Sequence, residues 1–439
     1  MELLNKIPEI SEIKKGIITL TGNTGFGLNH VVDIQSKKGS MKGIVLTVSN
    51  EETVIIPLGN TLGLPTNCEI SSTGRPLTMG FSKKVQGRIF NGIGMAIDNK
   101  GSLFSATEIL ASVQTMNPLA RAIPSTLVRT GLTPIDVYNS AVQGQKLPIV
   151  AYEGEDPTPA ILNLMGSIHS DAIIYGGIGM QFDAYHNLRN GLLEAGQMNK
   201  TTLFMHQDGD PIAHGLLVPE HCLATARQFM EQGKDVVCVL DDMTTWAEIL
   251  RSNANAQDMI PSKEGFPGDL YSQLARVYEM ATQREKGGSI TLIPVHSMES
   301  IEGAVIDNAL YITEGQLIYK GDKIILRGSL SRLKQSVNNG KQTRRDHRAI
   351  IAAMHQLLGD AEDAFENSKM GSAKDEKSQR LIKFRTDAHD VLQNIHTPRT
   401  IEEGLNVCWT LFASYFSKSE VNIPQDMIEE FWPEGKRSH

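Results

Sequence analysis

The sequence predicts a multidomain α/β protein in three parts: an N-terminal β barrel at residues 1–76, a central, mainly parallel α/β domain at residues 77–346 and a C-terminal helical domain at residues 347–439. Three observations support this prediction. Short apolar runs between glycine-rich turns fill the first part, strand and helix patterns alternate in the second, and helical periodicity dominates the third. A chain of 439 residues is too long for one ordinary core, so two or three domains are expected.

Composition and charge narrow the classes of function. Hydrophobic residues make up 40% of the sequence and charged residues 21%, as in ordinary globular proteins. No apolar run reaches the ~18 residues of a membrane span and the N-terminus is mixed and charged, so we expect a cytoplasmic protein. A net charge of −8 argues against broad nucleic-acid binding. The cysteines, far apart and without a Cys-x-x-Cys motif, are expected to be small buried residues: Cys68, Cys222, Cys238 and Cys408.

The N-terminal part contains short apolar runs at residues 16–20, 43–48 and 53–58, separated by turn-rich segments. Closely spaced short strands with glycine turns favour a barrel over a sandwich in so few residues. From residue 77 to 148, turn signals and prolines predict irregular chain that crosses the edge of the central sheet. A short helix with a threonine N-cap and a proline at its first position is expected at residues 133–138.

The central part alternates between strand-like and helical patterns. Apolar strand-like runs occur at residues 147–152, 172–175, 202–205, 236–240 and 289–295. Apolar residues recur with the helical period in residues 219–230, which predicts a helix there. The alternation of strand and helix patterns predicts a parallel sheet with crossover helices. Three histidines are spaced across a loop rather than along one helix face, so we expect surface or packing roles instead of metal binding: His206, His214 and His221.

Two carboxylates, Asp241 and Asp242, follow the apolar strand at residues 236–240. Open α/β sheets bind ligands at the carboxyl ends of their strands, and in nucleotide hydrolases such carboxylates commonly hold Mg²⁺ or a water. Alternatively, one of them only caps the helix that begins near Thr244. The sequence by itself leaves both interpretations open.

The phosphate-binding motif G-x-x-x-x-G-K-[ST], which would accompany such a site, is absent from the sequence. The nearest positional candidate is the segment 153–159, which precedes the strand at 172–175; its Gly154, Glu155 and Thr158 mark a degenerate phosphate-loop position. The segment carries two Glu and one Asp, which repel a triphosphate, and two prolines, which lack amide donors. No metal-binding motif is predicted.

Residues 327–348 concentrate positive charge, with seven Lys or Arg residues against Asp346 alone. Such a run is either a solvated basic face or a phosphate-recognition surface, and both remain possible from the sequence. The tail that follows is predicted to be helical. Thr400 and Glu403 form a capping-box pattern, and an apolar stripe follows at Leu405, Cys408, Trp409, Phe412, Tyr415 and Phe416.

Several local strings occur in a distinctive order along nearly the whole chain. They are Gly92-Ile93-Gly94; Gly144-Gln145-Lys146-Leu147-Pro148; Asp242-Met243-Thr244; Gly265-Phe266-Pro267-Gly268 with Tyr271; Gly288-Ser289-Ile290-Thr291; Ile312-Thr313-Glu314-Gly315-Gln316; and Ser329-Leu330-Ser331-Arg332-Leu333 with Thr343-Arg344-Arg345-Asp346-His347. In these strings the chain resembles the non-catalytic B subunit of V-type and archaeal-type (A/V-type) rotary ATPases, in a bacterial form.

The resemblance implies a central RecA-like, nucleotide-binding-type domain and a place in a ring of three catalytic A subunits alternating with three B subunits. ATP/ADP with Mg would lie at the interface, held mainly by the A subunit, and turnover would be coupled to proton or sodium transport. Central and peripheral stalk subunits would be further partners, and the chain would contact the cytoplasmic membrane only through the complex. The missing phosphate loop agrees with this, because the family's B subunit has lost it.

The resemblance also implies site residues. The Arg of the Ser-Leu-Ser-Arg motif, here Arg332, would act in trans as an arginine finger, with Ser329, Ser331 and Tyr271 at the nucleotide interface. A planar, permanently charged guanidinium can bind phosphate oxygens bidentately. Catalytic paralogues carry Gly-Glu-Arg where this sequence has Gly179-Met180-Gln181, so the carboxylate that orients the attacking water is missing here.

The sequence departs from the family in some places. The family usually has Arg-Arg before Gly-Phe-Pro-Gly, but residues 263–264 are Lys-Glu here, and residues 299–308 replace the family's Asp-Asp-x-Thr-His-Pro stretch. Two other functions remain as alternatives. One is a free-standing hexameric ATPase of the secretion or RNA-translocase type, against which the missing Gly-Lys-Thr counts. The other is a purely structural binding module, which the presence of Arg332 disfavours.

Overall fold

The computed structural model describes residues 9–14, 16–37, 39–103, 105–112, 115–262, 265–298, 303–370 and 375–433. Two of the family departures, at residues 263–264 and in the first part of 299–308, fall outside these ranges. Within them, an antiparallel N-terminal sheet is followed by a large mainly parallel sheet with helices on both faces and by a helical tail. This is the predicted fold class.

The described N-terminal residues form six antiparallel strands in the spatial order β1-β2-β5-β4-β3-β6. The strands are β1 (Ile10–Lys14), β2 (Ile17–Thr21), β3 (His30–Ser36), β4 (Gly39–Val48), β5 (Glu52–Pro57) and β6 (Glu69–Pro76). Alternate β-branched and aliphatic side chains point into one small core that includes Ile18, Val32, Val45 and Ile55. The three strands predicted here are confirmed to within a few residues.

The chain between the two sheets is mostly irregular, as predicted. Its short strands are β7 (Thr78–Phe81), β8 (Ile89–Asn91), β9 (Thr107–Leu110) and β10 (Arg121–Ala122). Strand β7 pairs with β9, whereas β8 joins the edge of the large sheet. A single short helix turn at Pro134–Asn139 occupies the place where a helix was predicted, although the Thr133 side chain makes no capping hydrogen bond.

The large sheet has the strand order β18-β17-β11-β16-β14-β12-β13-β8, with β15 paired to β16. Its strands are β11 (Ile149–Ala151), β12 (Ala172–Met180), β13 (Thr201–Gln207), β14 (Asp235–Asp241), β15 (Thr282–Arg284), β16 (Ser289–Ser297), β17 (Gly315–Lys320) and β18 (Lys323–Ser331). Strands β8, β11–β14, β16 and β17 run parallel, and β18 returns antiparallel beside β17. All five strands predicted in this part are therefore present.

Helices cover both faces of this sheet. They are α1 (Thr158–Ser167), α2 (Phe182–Glu194), α3 (Ile212–Glu231), α4 (Met243–Ala256), α5 (Leu270–Tyr278) and α6 (Ala304–Ile312). Alternate residues of β14 point to opposite faces of the sheet. Cys238 packs with α3 and α4 on one face, and Val237 and Val239 pack with α1 and α2 on the other. Burial on both faces explains why β14 reads as a continuous apolar run.

Two elements extend further than the sequence predicts. Strand β12 continues through Gly176 and Gly177. The missing side chain of Gly176 allows α3 to approach closely, since a Cβ there would lie 2.7 Å from the Cys222 sulfur. Helix α3 begins at Ile212 rather than at residue 219, and Pro219 lies inside it.

Helix α7 (Lys334–Val337) precedes the tail, which contains α8 (His347–Lys369), α9 (Glu376–Leu392), α10 (Ile401–Tyr415) and α11 (Gln425–Phe431). Helix α10 begins with the predicted capping box between Thr400 and Glu403. Its predicted apolar stripe, including Leu405, Trp409 and Phe412, is buried in one core with residues of α8 and α9.

Candidate functional site

Arg332 lies directly after β18, where that strand's last residues pair with the start of β17. Its backbone amide donates to the Glu314 carbonyl at 2.8 Å. Gly315 is required for this close pairing, since a Cβ there would lie 2.1 Å from the Leu330 carbonyl oxygen. The backbone around Arg332 is therefore fixed by two adjacent strands rather than by a free loop.

The two serines of the predicted interface lie beneath Arg332 and are buried. The Ser329 hydroxyl accepts from the Ile318 amide at 2.9 Å. The Ser331 hydroxyl accepts from Gln145 Nε2 at 2.9 Å and donates to the Ser140 carbonyl at 3.2 Å. Both hydroxyls thus anchor the strand to its neighbours within this chain.

The Arg332 side chain is exposed, unlike the two serines. Its Nη1 donates to the Thr313 carbonyl oxygen at 3.2 Å. Among the described residues, no carboxylate forms an ion pair with it. Because a carbonyl is neutral, the guanidinium keeps its full charge and its remaining donors for an anionic group.

Two other cations of the basic segment, Arg344 and Arg345, form ion pairs within the chain. Arg344 makes two hydrogen bonds of 2.8 Å to the buried Asp346, and Arg345 pairs with Asp426 and Glu430 of α11. These contacts tie the tail to the segment that precedes it. The sequence left two interpretations of the basic segment open, a solvated face or a phosphate-recognition surface. For these two arginines the structure shows a third role, in ion pairs within the chain.

The degenerate phosphate loop lies between β11 and α1, the strand–loop–helix position of a phosphate-binding loop. Gly154 has a φ of 75°, and the Thr158 amide that opens α1 is satisfied by Asp156 Oδ1 at 3.0 Å. The expectation that the loop's carboxylates oppose phosphate binding stays a prediction.

Arg332 and this loop lie at opposite ends of the parallel strands: Arg332 at their amino ends and the loop at their carboxyl ends. Strand β11 runs parallel to β17, and β18 runs back, so Ser331 pairs with the first residue of β17 while the loop follows the last residue of β11. The two ends are separated by the length of β17, about 20 Å. Arg332 and the loop therefore form two separate sites, and Tyr271 lies half exposed on α5.

Asp241 and Asp242 both have partners inside the protein. The Tyr175 hydroxyl donates to Asp241 at 2.7 Å, and Asp242 accepts from the Thr244 amide at 2.7 Å and from the Ser297 hydroxyl at 2.9 Å. Asp242 is thus the N-cap of α4, one of the two interpretations left open. Burial, the adjacent Asp242 charge and the more distant Asp156 raise the pKa of Asp241 to about 7, although the Tyr175 hydrogen bond opposes the shift.

The three histidines of the sequence prediction have packing roles. All are buried and hydrogen-bonded to backbone groups: His206 to an amide, His214 and His221 to carbonyls. Burial lowers the pKa of His221 to about 4. Within the described ranges, no group of three or more His, Cys, Asp or Glu side chains is arranged to hold a metal. The four cysteines are buried and free, as expected.

A charged network that sequence reasoning did not single out as functional lies beside Arg332. Lys146, which precedes β11, reaches the carboxylates of Glu314 and Glu279, and Arg121 pairs with the second oxygen of Glu279. Lys146 and Glu314 stand in strings that carry the family resemblance, but nothing in their spacing indicates that they meet.

Comparison with known proteins places this arrangement in a family. Residues 131–324 match the nucleotide-binding domain of the ATP synthase alpha/beta family, and residues 16–74 match its beta-barrel domain. The V-type ATP synthase beta chain of Borrelia garinii subsp. bavariensis is 35% identical over 432 residues, which cover 98% of this chain and 99% of that protein. The chain belongs to the V-type ATP synthase beta-chain family.

Other members of the V-type ATP synthase beta-chain family match equally completely. The beta chain of Treponema denticola is 33% identical over 427 residues, covering 97% of this chain and 98% of that protein. That of Protochlamydia amoebophila is 34% identical over 428 residues, covering 97% of each. No helix in the described parts of this family member is long and apolar enough to cross a membrane.

Proposed function

We propose that this chain is the non-catalytic B subunit of a V/A-type ring and supplies Arg332 in trans to ATP bound by an adjacent catalytic A subunit. The observation that carries the proposal is the exposed Arg332 guanidinium, which is held by a neutral carbonyl and has no ion pair among the described residues. Such a group can stabilise the charge that develops in phosphoryl transfer.

The chain itself is proposed to contribute little to holding the nucleotide. ATP or ADP with Mg would be bound mainly by the A subunit, because the loop of Gly154, Glu155 and Thr158 lacks the lysine and carries repelling carboxylates. Ser329 and Ser331 would act by fixing the strand that presents Arg332, and Tyr271 would line the same subunit interface. The isolated chain is expected to be inactive.

The wider assembly is proposed on the same basis. The ring would alternate three A and three B subunits, contact central and peripheral stalk subunits, and couple ATP turnover to proton or sodium transport. The chain would lie on the cytoplasmic side, peripheral to the membrane. The family relationship and the full-length match to V-type ATP synthase beta chains support this proposal.

Replacing Arg332 tests the proposal. In a ring reconstituted with A subunits, we expect Arg332→Ala to lower ATP turnover by about 10³-fold, the scale of an arginine finger. Ring assembly, measured by native mass, should be unchanged because the side chain is exposed. Arg327→Ala, on an exposed position of the same strand, is the matched control and should retain activity.

Two outcomes would overturn the proposal. Near-normal turnover by an assembled Arg332→Ala ring would remove the trans role of this residue. Robust ATPase activity of the isolated wild-type chain would favour the free-standing enzyme instead.

A further inference from the structure

Lys146 is a nearly buried cation between two carboxylates. Its side chain is 8% exposed, and its Nζ lies 2.8 Å from Glu314 Oε1 and 3.3 Å from Glu279 Oε1. Glu279 has a second cationic partner, Arg121 Nη1 at 3.1 Å. Although burial alone would raise it, the charges and hydrogen bonds of Lys146 and Arg121 hold the pKa of Glu279 below its usual range.

Glu314 is bound at both carboxylate oxygens by the same residue. Oε1 contacts the Lys146 ammonium, and Oε2 accepts the Lys146 backbone amide at 2.8 Å. Glu314 is also the residue whose carbonyl accepts the Arg332 amide, and Thr313 beside it accepts the guanidinium. The Glu314 carboxylate is therefore the acidic group on the very segment that Arg332 contacts, and its side chain is 30% exposed.

A carboxylate released at this place would compete with phosphate for Arg332. Arginine and carboxylate form bidentate, charge-assisted hydrogen bonds with the same donor geometry that phosphate uses. A guanidinium captured in this way would be turned away from the interface and its charge would be compensated. In the structure, the Lys146 ammonium occupies Oε1 of Glu314 and the Lys146 amide occupies Oε2, so both carboxylate oxygens already have partners.

We propose that Lys146 is a positioning residue that sequesters the Glu314 carboxylate and so keeps the Arg332 guanidinium available to an anionic phosphate on the neighbouring subunit. This inference rests on the proposed trans role of Arg332. Lys146 itself does not touch the nucleotide, and its effect passes entirely through Glu314 and Arg332.

The test uses the complete ring with A subunits. Lys146→Met keeps the length of the side chain and removes its charge, and we expect kcat to fall about ten- to hundredfold with little change in KM, because the geometry of a transition-state contact is lost. Adding Glu314→Gln should restore turnover to within about threefold of wild type, because no carboxylate is left to capture Arg332. A merely structural role of Lys146 would instead lower and restore ring assembly and thermal stability, and would leave the kcat of the assembled ring unchanged.

Two controls accompany these variants. Lys234→Met removes a half-exposed cation that is paired with Asp171 and lies, like Lys146, at the amino ends of the parallel strands. This variant should leave kcat unchanged. In an Arg332→Ala background, Lys146→Met should cause no further loss. Native mass and thermal unfolding establish that each ring is assembled, and Lys146→Gln replaces Lys146→Met if the latter does not assemble.

The outcomes separate the two proposals. If Arg332→Ala is itself active, the trans role fails. If Arg332→Ala is inactive but Lys146→Met keeps wild-type kcat, loses activity without rescue by Glu314→Gln, or adds to Arg332→Ala, the sequestering role of Lys146 is wrong and the trans role stands.

Discussion

At the scale of single residues, Asp241 is a carboxyl group whose surroundings change its pKa strongly. Its pKa of about 7 lies far above the ordinary 3.8, with burial as the largest cause. The Tyr175 hydroxyl donates a hydrogen bond to one of its carboxyl oxygens at 2.7 Å. The neighbouring Asp242 is also shifted upward by burial, although the bonds that cap α4 oppose the change in its pKa.

Replacing Asp241 by Asn should stabilise the protein at alkaline pH. A carboxyl whose pKa is raised on folding binds more protons in the native state, so stability is lost as the pH rises from about 4 to about 7. Asp241→Asn removes this loss, and because the side chain keeps some exposure we expect a gain of about 1–2 kcal/mol at pH 8.

Urea unfolding at pH 5 and pH 8 measures this effect. Asp363→Asn, at an exposed position of α8, is the control and should show the pH dependence of the wild type. If Asp241→Asn leaves the difference between the two pH values unchanged, Asp241 is not the source of this pH dependence.

At the scale of elements, α10 is a helix whose first residue can be predicted from the local sequence. The Thr400 hydroxyl accepts the Glu403 amide at 3.2 Å, and Glu403 accepts the Thr400 amide at 2.8 Å. Local sequence suffices for this prediction because both partners lie within one turn.

Thr400→Ala should therefore destabilise the tail by about 1 kcal/mol, since an orphan helical amide loses its acceptor. Thr410→Ala on the exposed face of the same helix is the matched control and should be close to neutral. The free energy of unfolding from denaturant titration distinguishes them, and equal effects would contradict the capping role.

At the scale of the whole molecule, Asp346 links the tail to the central part. It is fully buried, accepts two hydrogen bonds from Arg344 and accepts Trp409 Nε1 of α10 at 2.7 Å. Removing it would leave a largely buried arginine and a buried indole N–H without their acceptor.

Asp346→Ala should cost about 3–5 kcal/mol, because one partner of a buried charge pair is left uncompensated. Arg345→Ala should cost less than about 1 kcal/mol, since Arg345 and its partners are about half exposed. Denaturant unfolding compares the two, and limited proteolysis should release the tail only from the Asp346 variant. A small effect of Asp346→Ala would show that the apolar contacts of α10 alone hold the tail.

Much of the fold follows from local patterns. The parallel strands, the capping box of α10 and the burial of the cysteines were predictable because apolar period, turn residues and helix caps act within a few residues. The three-residue strand β8 and the start of α3 before Pro219 were not, because long-range packing decides them.

The sequence by itself determined the fold class, the family resemblance, the loss of the phosphate loop and the candidacy of Arg332. Only the tertiary structure decided that Arg332 and the degenerate loop lie at opposite ends of the parallel strands. It also decided that Ser329 and Ser331 are buried and hydrogen-bonded to neighbouring segments, and that Lys146 binds Glu314. The reason is physical: strand direction and pairing bring together residues more than a hundred positions apart, and spacing along the chain carries no record of that pairing.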